Sequence, residues 1–221
     1  MAINAGPKIV EDGLILCLDA ANKKSYPGAG TTWTDLSNTN TSATLTNNPT
    51  FDSDNGGSIL FDGANDYVGI NPDPYSITGD ITLESWVRVN TYTDRGTLIT
   101  DVNSYYMQVH TDATVQIYTY PFAGNSVYDS SSGTISLDTW SHIIFSQDLS
   151  GYRRIYINGE LDTITPFRHI GIYDSTGPIT IGGETSSRRL SGNIAIAKIY
   201  NRALSASEVL QNYNATKWRF Q

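Results

Sequence analysis

The run Ile81-Thr82-Leu83-Glu84-Ser85-Trp86-Val87-Arg88-Val89 constrains this chain more than any other segment. Ile81, Leu83, Val87 and Val89 share one parity, and Thr82, Glu84, Trp86 and Arg88 share the other. A period of two places these two sets on opposite faces of an extended strand. Shorter β-type runs follow at close spacing over 96–100, 105–109 and 114–119, separated by Gly, Asn, Asp and Pro. Further runs at 140–146, 179–181 and 193–200 complete the series. In Arg154-Ile155-Tyr156-Ile157-Asn158-Gly159-Glu160-Leu161 the Asn-Gly pair supplies the two positive φ angles of a type I′ turn, so a hairpin is predicted there.

One helix is predicted, near the end of the sequence. Ser205-Ala206-Ser207-Glu208 is a capping box: the Ser205 hydroxyl serves the amide at the third helical position, and Glu208 reaches back to the amide of Ser205. Leu204 and Val209 stand at the two positions of a hydrophobic staple, and the helix is expected to run through Tyr213. A dozen or so short strands with one helix, and no Pro-rich linker, repeat or low-complexity block, describe an all-β antiparallel two-sheet jelly-roll sandwich with a short C-terminal helix. Residues 1–13 read as an N-terminal arm and 14–221 as one sandwich domain, a length such domains reach.

Composition narrows the function. Only 16% of the 221 residues are charged, and 14 basic against 22 acidic residues give a net charge of −8. Nucleic-acid binding needs clustered Lys and Arg to release counterions, so that class is excluded; adsorption to anionic lipid is opposed for the same reason. No stretch approaches the roughly 20 apolar residues of a membrane span. Cys17 is the only cysteine, which rules out an internal disulfide and Cys-based zinc sites; within Leu14-Ile15-Leu16-Cys17-Leu18 it reads as a buried thiol. The opening Met1-Ala2-Ile3-Asn4-Ala5-Gly6-Pro7 has neither a basic nor an apolar export signal, so folding in a cytoplasm without Sec export is expected.

The order of several segments resembles the laminin G-like and pentraxin-like modules of the concanavalin A-like lectin/glucanase superfamily. They are Leu16-Cys17-Leu18-Asp19-Ala20-Ala21-Asn22, Trp33-Thr34-Asp35-Leu36-Ser37 and Ser58-Ile59-Leu60-Phe61-Asp62-Gly63-Ala64-Asn65-Asp66-Tyr67-Val68. The series continues with Ile81–Val89, Trp140–Phe145, Ile155-Tyr156-Ile157-Asn158-Gly159 and Ile194–Tyr200. The ending, Asn201-Arg202-Ala203-Leu204-Ser205 and Gln211-Asn212-Tyr213-Asn214-Ala215-Thr216-Lys217, is similar to laminin G-like proteins of tailed bacteriophages and marine bacteria. The resemblance covers roughly residues 13–218. It implies a non-enzymatic component of a phage virion surface, displayed on a capsid, fibre or tail, or else a free extracellular lectin. Other virion proteins and cell-surface polysaccharide are its implied partners, and a homo-oligomer its implied form, with the arm or Trp218-Arg219-Phe220 as the anchor.

For metal, the resemblance implies a Ca²⁺ site at Asp101, Asn103 and Glu184. Ca²⁺ takes six to eight oxygen ligands, usually with several carboxylates. This sequence has Thr185 and Ser186 where Gln and Asp are expected, and Arg188 and Arg189 follow at once, so ordinary polar loops are the competing reading. Asp62-Gly63-Ala64-Asn65-Asp66 is also oxygen-rich, but Asp-Gly and Asn-Asp are turn chemistry. Asp19 and Asn22 are expected to bond nearby backbone.

Sugar binding needs exposed aromatic rings, and Tyr118, Tyr120, Phe122 and Tyr128 lie in the stretch 117–130, which reads as a long binding loop. Tyr105 and Tyr106 flank the Asp101–Asn103 segment, and Tyr105 joins the candidate ligand-binding set. Trp86 and Trp140 read as core residues, whereas Trp33 and Trp218 are left open. Catalysis finds no support: the Glu-x-Asp-x-x-Glu strand of related glycosidases is missing, Glu84 is isolated, and His110, His142 and His169 are scattered. His142 reads as a structural histidine.

Overall fold

The computed structural model describes residues 7–39, 41–92, 94–121, 126–166 and 171–221. Sixteen strands among them form two antiparallel sheets. Numbered in chain order, the back sheet holds β1 (Leu14–Asp19), β4 (Thr50–Asp52), β5 (Ser58–Asp62), β7 (Ile81–Val89), β12 (Trp140–Asp148), β13 (Tyr152–Ile157), β14 (Glu160–Pro166) and β16 (Ser191–Tyr200). Its order is β14-β13-β12-β7-β16-β5-β4, with β1 also paired to β16. The front sheet holds β2 (Thr32–Thr34), β3 (Ser42–Thr46), β6 (Tyr67–Ile70), β8 (Gly96–Asp101), β9 (Tyr105–Val109), β10 (Thr114–Thr119), β11 (Val127–Thr134) and β15 (Ile179–Ile181). Its order is β11-β10-β9-β8-β15-β6-β3-β2. This is the two-layer sandwich that the strand pattern predicts.

The main core lies between the sheets. Ile81, Leu83, Val87 and Val89 of β7 enter it, with Phe61, Trp33, Tyr105, Met107, Ile117, Phe145 and Ile199. Trp33 is thus a core residue. The other face of β7 is buried as well, because the helix α1 (Ala206–Thr216) lies across the outside of the back sheet. Val209 and Leu204, the two staple residues, pack there with Ile144, Tyr156, Tyr200 and Val10. Trp86 belongs to this outer layer: its ring stacks on Phe220 at 4.1 Å between centroids, and its Nε1 donates to Thr216 Oγ1 at 2.8 Å. Trp140 is half-buried against Phe220.

Both halves of the capping box form at Ser205 and Glu208. The helix continues three residues past the expected Tyr213 and ends in a 3₁₀ turn, Lys217–Arg219. The terminal segment is no loose tether. Arg219 pairs with Asp19 at 2.9 Å and donates to the Gly57 carbonyl, and Phe220 is stacked, whereas Trp218 is 71% exposed. The described part of the arm is also docked: the Val10 amide donates to Asn212 Oδ1, and Gln211 bonds the Lys8 carbonyl. At the hairpin, Asn158 and Gly159 have φ of 54° and 82°, the type I′ geometry.

One segment departs from the sequence reading. Residues 127–134 are strand β11, an edge of the front sheet, and not part of a long loop. Their inward Asp129 meets Arg153 of the back sheet at 2.6 Å. The amides of Ser132 and Gly133 donate to the Asp162 carboxylate of β14. Side chains from the opposite sheet therefore hold a Ser- and Gly-rich strand that apolar alternation does not announce.

Candidate binding face

Strand register assembles the front face. Thr32 lies opposite Thr44, Thr44 opposite Gly69, Gly69 opposite Thr180, and Thr180 opposite Thr100. Thr100 lies opposite Tyr106, Tyr106 opposite Tyr118, and Tyr118 opposite Tyr128. Directly opposed residues share a face, so this row crosses all eight strands on the outer surface of the front sheet. Its inward neighbours Tyr105, Met107 and Ile117 fill the core.

One flank of the row is a tyrosine platform. Tyr106 and Tyr118 meet edge-on at 6.3 Å, Tyr118 and Tyr128 lie 5.0 Å apart, and Tyr120 adds a ring 5.9 Å from Tyr106. Tyr128 is exposed, Tyr118 and Tyr120 are half-buried, and Tyr106 is the buried centre. Beside the platform, Gln108 and Gln116 form a parallel polar row, joined by a 3.1 Å hydrogen bond. The other flank is a cavity of about 270 Å³ lined by Thr44, Tyr67, Gly69 and Thr185. Gly69 and the short threonines leave that space open. The loop after β15 borders both halves: Thr185 lines the cavity, and the Arg188 guanidinium lies 5.0 Å from the Tyr106 ring centroid.

The face is electrostatically structured. Burial pushes the Tyr106 phenol up, Glu184 adds to this, and Arg188 opposes it. Burial also raises Tyr118, with the Arg95 guanidinium as the leading opposing charge. Glu184 itself pairs with Arg188 at 2.9 Å and accepts from the Ser187 hydroxyl at 2.9 Å.

Tyr118, Tyr120 and Tyr128 come together, although Tyr128 sits on a strand. Tyr105 is a correction: it is fully buried between the sheets, because β9 alternates, and Tyr106 occupies the outer position. Parity was the available signal, since Tyr105 shares it with the apolar Met107 and Val109. Phe122 and His169 lie outside the described residues. Asp101 is buried at the end of β8 and accepts a hydrogen bond from Ser175; burial pushes its carboxyl up to about 7, against that bond. Asn103 is an exposed turn residue with φ 68°.

Asp101 and the two committed oxygens of Glu184 do not make a Ca²⁺ coordination shell. Among the described residues no group of three or more His, Cys, Asp or Glu is placed to hold a metal ion. The residues present therefore do not fit the implied metal. The 62–66 segment is a turn, with Asp62 Oδ1 accepting from the amides of Ala64 and Asn65. Asp19 accepts from the Ala21 amide, and Asn22 from that of Lys24.

Glu84, isolated in sequence, is the centre of a buried network on the other side of the molecule. Its Oε1 takes Lys198 Nζ at 2.7 Å and His142 Nε2 at 3.1 Å, and its Oε2 takes Asn212 Nδ2 at 2.7 Å. Desolvation pushes this carboxyl up, but Lys198 and His142 outweigh it and hold it at about 2. Closed from solvent, the network locks α1 to the back sheet.

A family model, Laminin_G_3, described as Concanavalin A-like lectin/glucanases superfamily, matches residues 62–210. The chain belongs to this laminin G-like family. No curated protein matches it. Among solved structures, the laminin G-like chain is similar to the binding domain of Paraclostridial Mosquitocidal Protein 1, with TM-score 0.73 and 19% identity over 93% of this chain and 52% of that one. It is also similar to the binding domain of botulinum neurotoxin DC in complex with rat synaptotagmin II, with TM-score 0.72 and 15% identity over 95% and 53% of the two chains. A botulinum neurotoxin type C structure, from work on its interaction with two ganglioside molecules, gives TM-score 0.73 and 16% identity over 94% and 52%. At these identities the likeness concerns the fold, and the laminin G-like chain spans about half the length of each. Among the described residues no helix is long and apolar enough to cross a membrane.

Proposed function

We propose that this laminin G-like chain is a non-enzymatic binding module whose front face takes a glycan. The observation that carries the reading is the gathering of Tyr118, Tyr120 and Tyr128 around the buried ring of Tyr106 on one face, with Tyr128 exposed and Tyr118 and Tyr120 half-exposed. Such rings stack on the apolar faces of sugars, while the exposed Thr44 and Thr185 beside the cavity suit the hydroxyls. The similar solved structures are toxin binding domains, one described by its ganglioside interaction, which supports a binding role. Binding proceeds without Ca²⁺ in this reading, because the oxygens of Asp101 and Glu184 serve protein partners.

The setting proposed is a tailed-phage virion surface, supported by the resemblance of the segments 201–205 and 211–217 to phage proteins. Several copies there, as a homo-oligomer or an array, convert weak single sites into avidity. Glycan arrays run with and without chelator test the binding: hits should persist in chelator and weaken about tenfold with Tyr118→Ala, roughly 1.4 kcal/mol. A hit indifferent to Tyr118→Ala refutes the site. Failure to find the chain in purified particles by proteomics refutes the setting.

A further inference from the structure

We infer that the tyrosine platform selects acidic glycans, with the Arg95 guanidinium receiving the sugar carboxylate. This rests on the reading of the front face as the glycan site, and it names the chemical class. The starting point is an imbalance. In a chain of net charge −8, the described arginines have partners: Arg88 meets Asp52, Arg153 meets Asp129, Arg154 meets Asp148, Arg188 meets Glu184, Arg202 meets Glu208 and Arg219 meets Asp19. Arg189 donates to the Asp66 carbonyl. Arg95 alone among the described arginines has a guanidinium with neither an ion pair nor a hydrogen bond, although it is half-buried.

Its position is set by register. Arg95 precedes Gly96, which lies opposite Val109, and Val109 lies opposite Val115. That is the end of the sheet where Gln108 and Gln116 adjoin the platform. The Tyr118 hydroxyl leans the same way, 3.4 Å from Gln116 Oε1, and Arg95 is the leading charge acting on it. Nearby acids are engaged elsewhere. The Asp94 carboxylate takes the Arg95 backbone amide at 2.7 Å, and Asp112 takes Thr114 and His110. Glu184 is held by Arg188, so Arg188 serves as a wall over Tyr106 and not as an anion receptor. A planar guanidinium with an unused fork matches a carboxylate in two parallel hydrogen bonds, and the rings beside it would carry the rest of the sugar.

Titration calorimetry on the whole chain tests this with tetragalacturonate and sialyllactose as acidic probes, and maltotetraose and lactose as neutral ones. The variants are Arg95→Gln, Tyr118→Ala, and Lys24→Gln as a control that removes the same charge from an exposed site elsewhere. The expected result is at least one acidic probe bound about tenfold more tightly than its neutral counterpart. Arg95→Gln should abolish that preference and leave neutral binding within about twofold, while Lys24→Gln does nothing. The acidic probe that binds tells a uronate from a sialoside. The inference is overturned if the acidic preference survives Arg95→Gln, or if neutral probes bind as well as acidic ones, while loss of binding with Tyr118→Ala still upholds the platform. Binding insensitive to Tyr118→Ala, or no binding by any probe, overturns the platform reading and this inference with it.

Discussion

Replacing Glu84 by Gln should destabilise the protein by about 3 kcal/mol, and two routes give that figure. The Glu84 carboxyl lies at about 2 in the folded protein against an ordinary 4.5, a difference on the order of 3 kcal/mol at 1.36 kcal/mol per unit. Independently, removing one member of a buried ion pair leaves the other charged without compensation, which costs about 3–5 kcal/mol. Here the stranded group is Lys198, 1% exposed. The sign with pH follows from the depressed value: the contribution is complete above the ordinary 4.5 and is lost as pH falls toward 2. Urea unfolding of wild type and Glu84→Gln at neutral pH measures the difference, and a thermal melt should fall by about 6–12 °C at this size. The double variant Glu84→Leu/Lys198→Met, which removes both charges, should recover much of the loss. A Glu84→Gln protein within about 1 kcal/mol of wild type, or a double variant as unstable as the single, refutes the account of the network as a charge-balanced lock.

Other outcomes follow from single contacts. Phe220→Ala removes the ring stacked on Trp86 and should cost about 1–3 kcal/mol in denaturant, with a change in intrinsic Trp fluorescence. Gly159→Ala places a Cβ at positive φ and 2.7 Å from Tyr213 Cδ1; a loss of about 1–2 kcal/mol is expected, read as a lower melting temperature. Asp101 has the opposite pH sign to Glu84: its folded value of about 7 exceeds the ordinary 3.8, so wild type loses stability as pH rises between them. Asp101→Asn should therefore gain over wild type on the order of 4 kcal/mol above pH 7 and gain nothing in acid below the ordinary value, seen in melts across pH.

The parts of the fold that obey a local rule were legible. Alternation in 81–89, the Asn158-Gly159 turn and the Ser205–Glu208 capping box each depend on neighbours within a few residues, and each formed as the sequence predicts. β11 was not legible, because Val127-Tyr128-Asp129-Ser130-Ser131-Ser132-Gly133 carries no apolar period. It pairs with β10 and is braced by Arg153 and Asp162 of the other sheet. The Glu84 network was hidden for the same reason, as its partners His142, Lys198 and Asn212 are 58, 114 and 128 residues away. The candidate site was half legible. Tyrosine enrichment points to the stretch that carries the clustered rings, but the parity of Met107 and Val109 places Tyr106, and not Tyr105, on the outer face. Arg95 carries no motif, and only the lateral order of strands β8, β9 and β10 makes it a neighbour of Tyr118.

The docked arm and the packed C-terminal segment lie together behind the molecule, on the layer that carries α1. Lys8, bonded by Gln211, and Phe220, stacked on Trp86, are thus both held on the side away from the tyrosine platform. A label placed on Phe220 would therefore report on the back sheet and leave the tyrosine surface of the front sheet untouched.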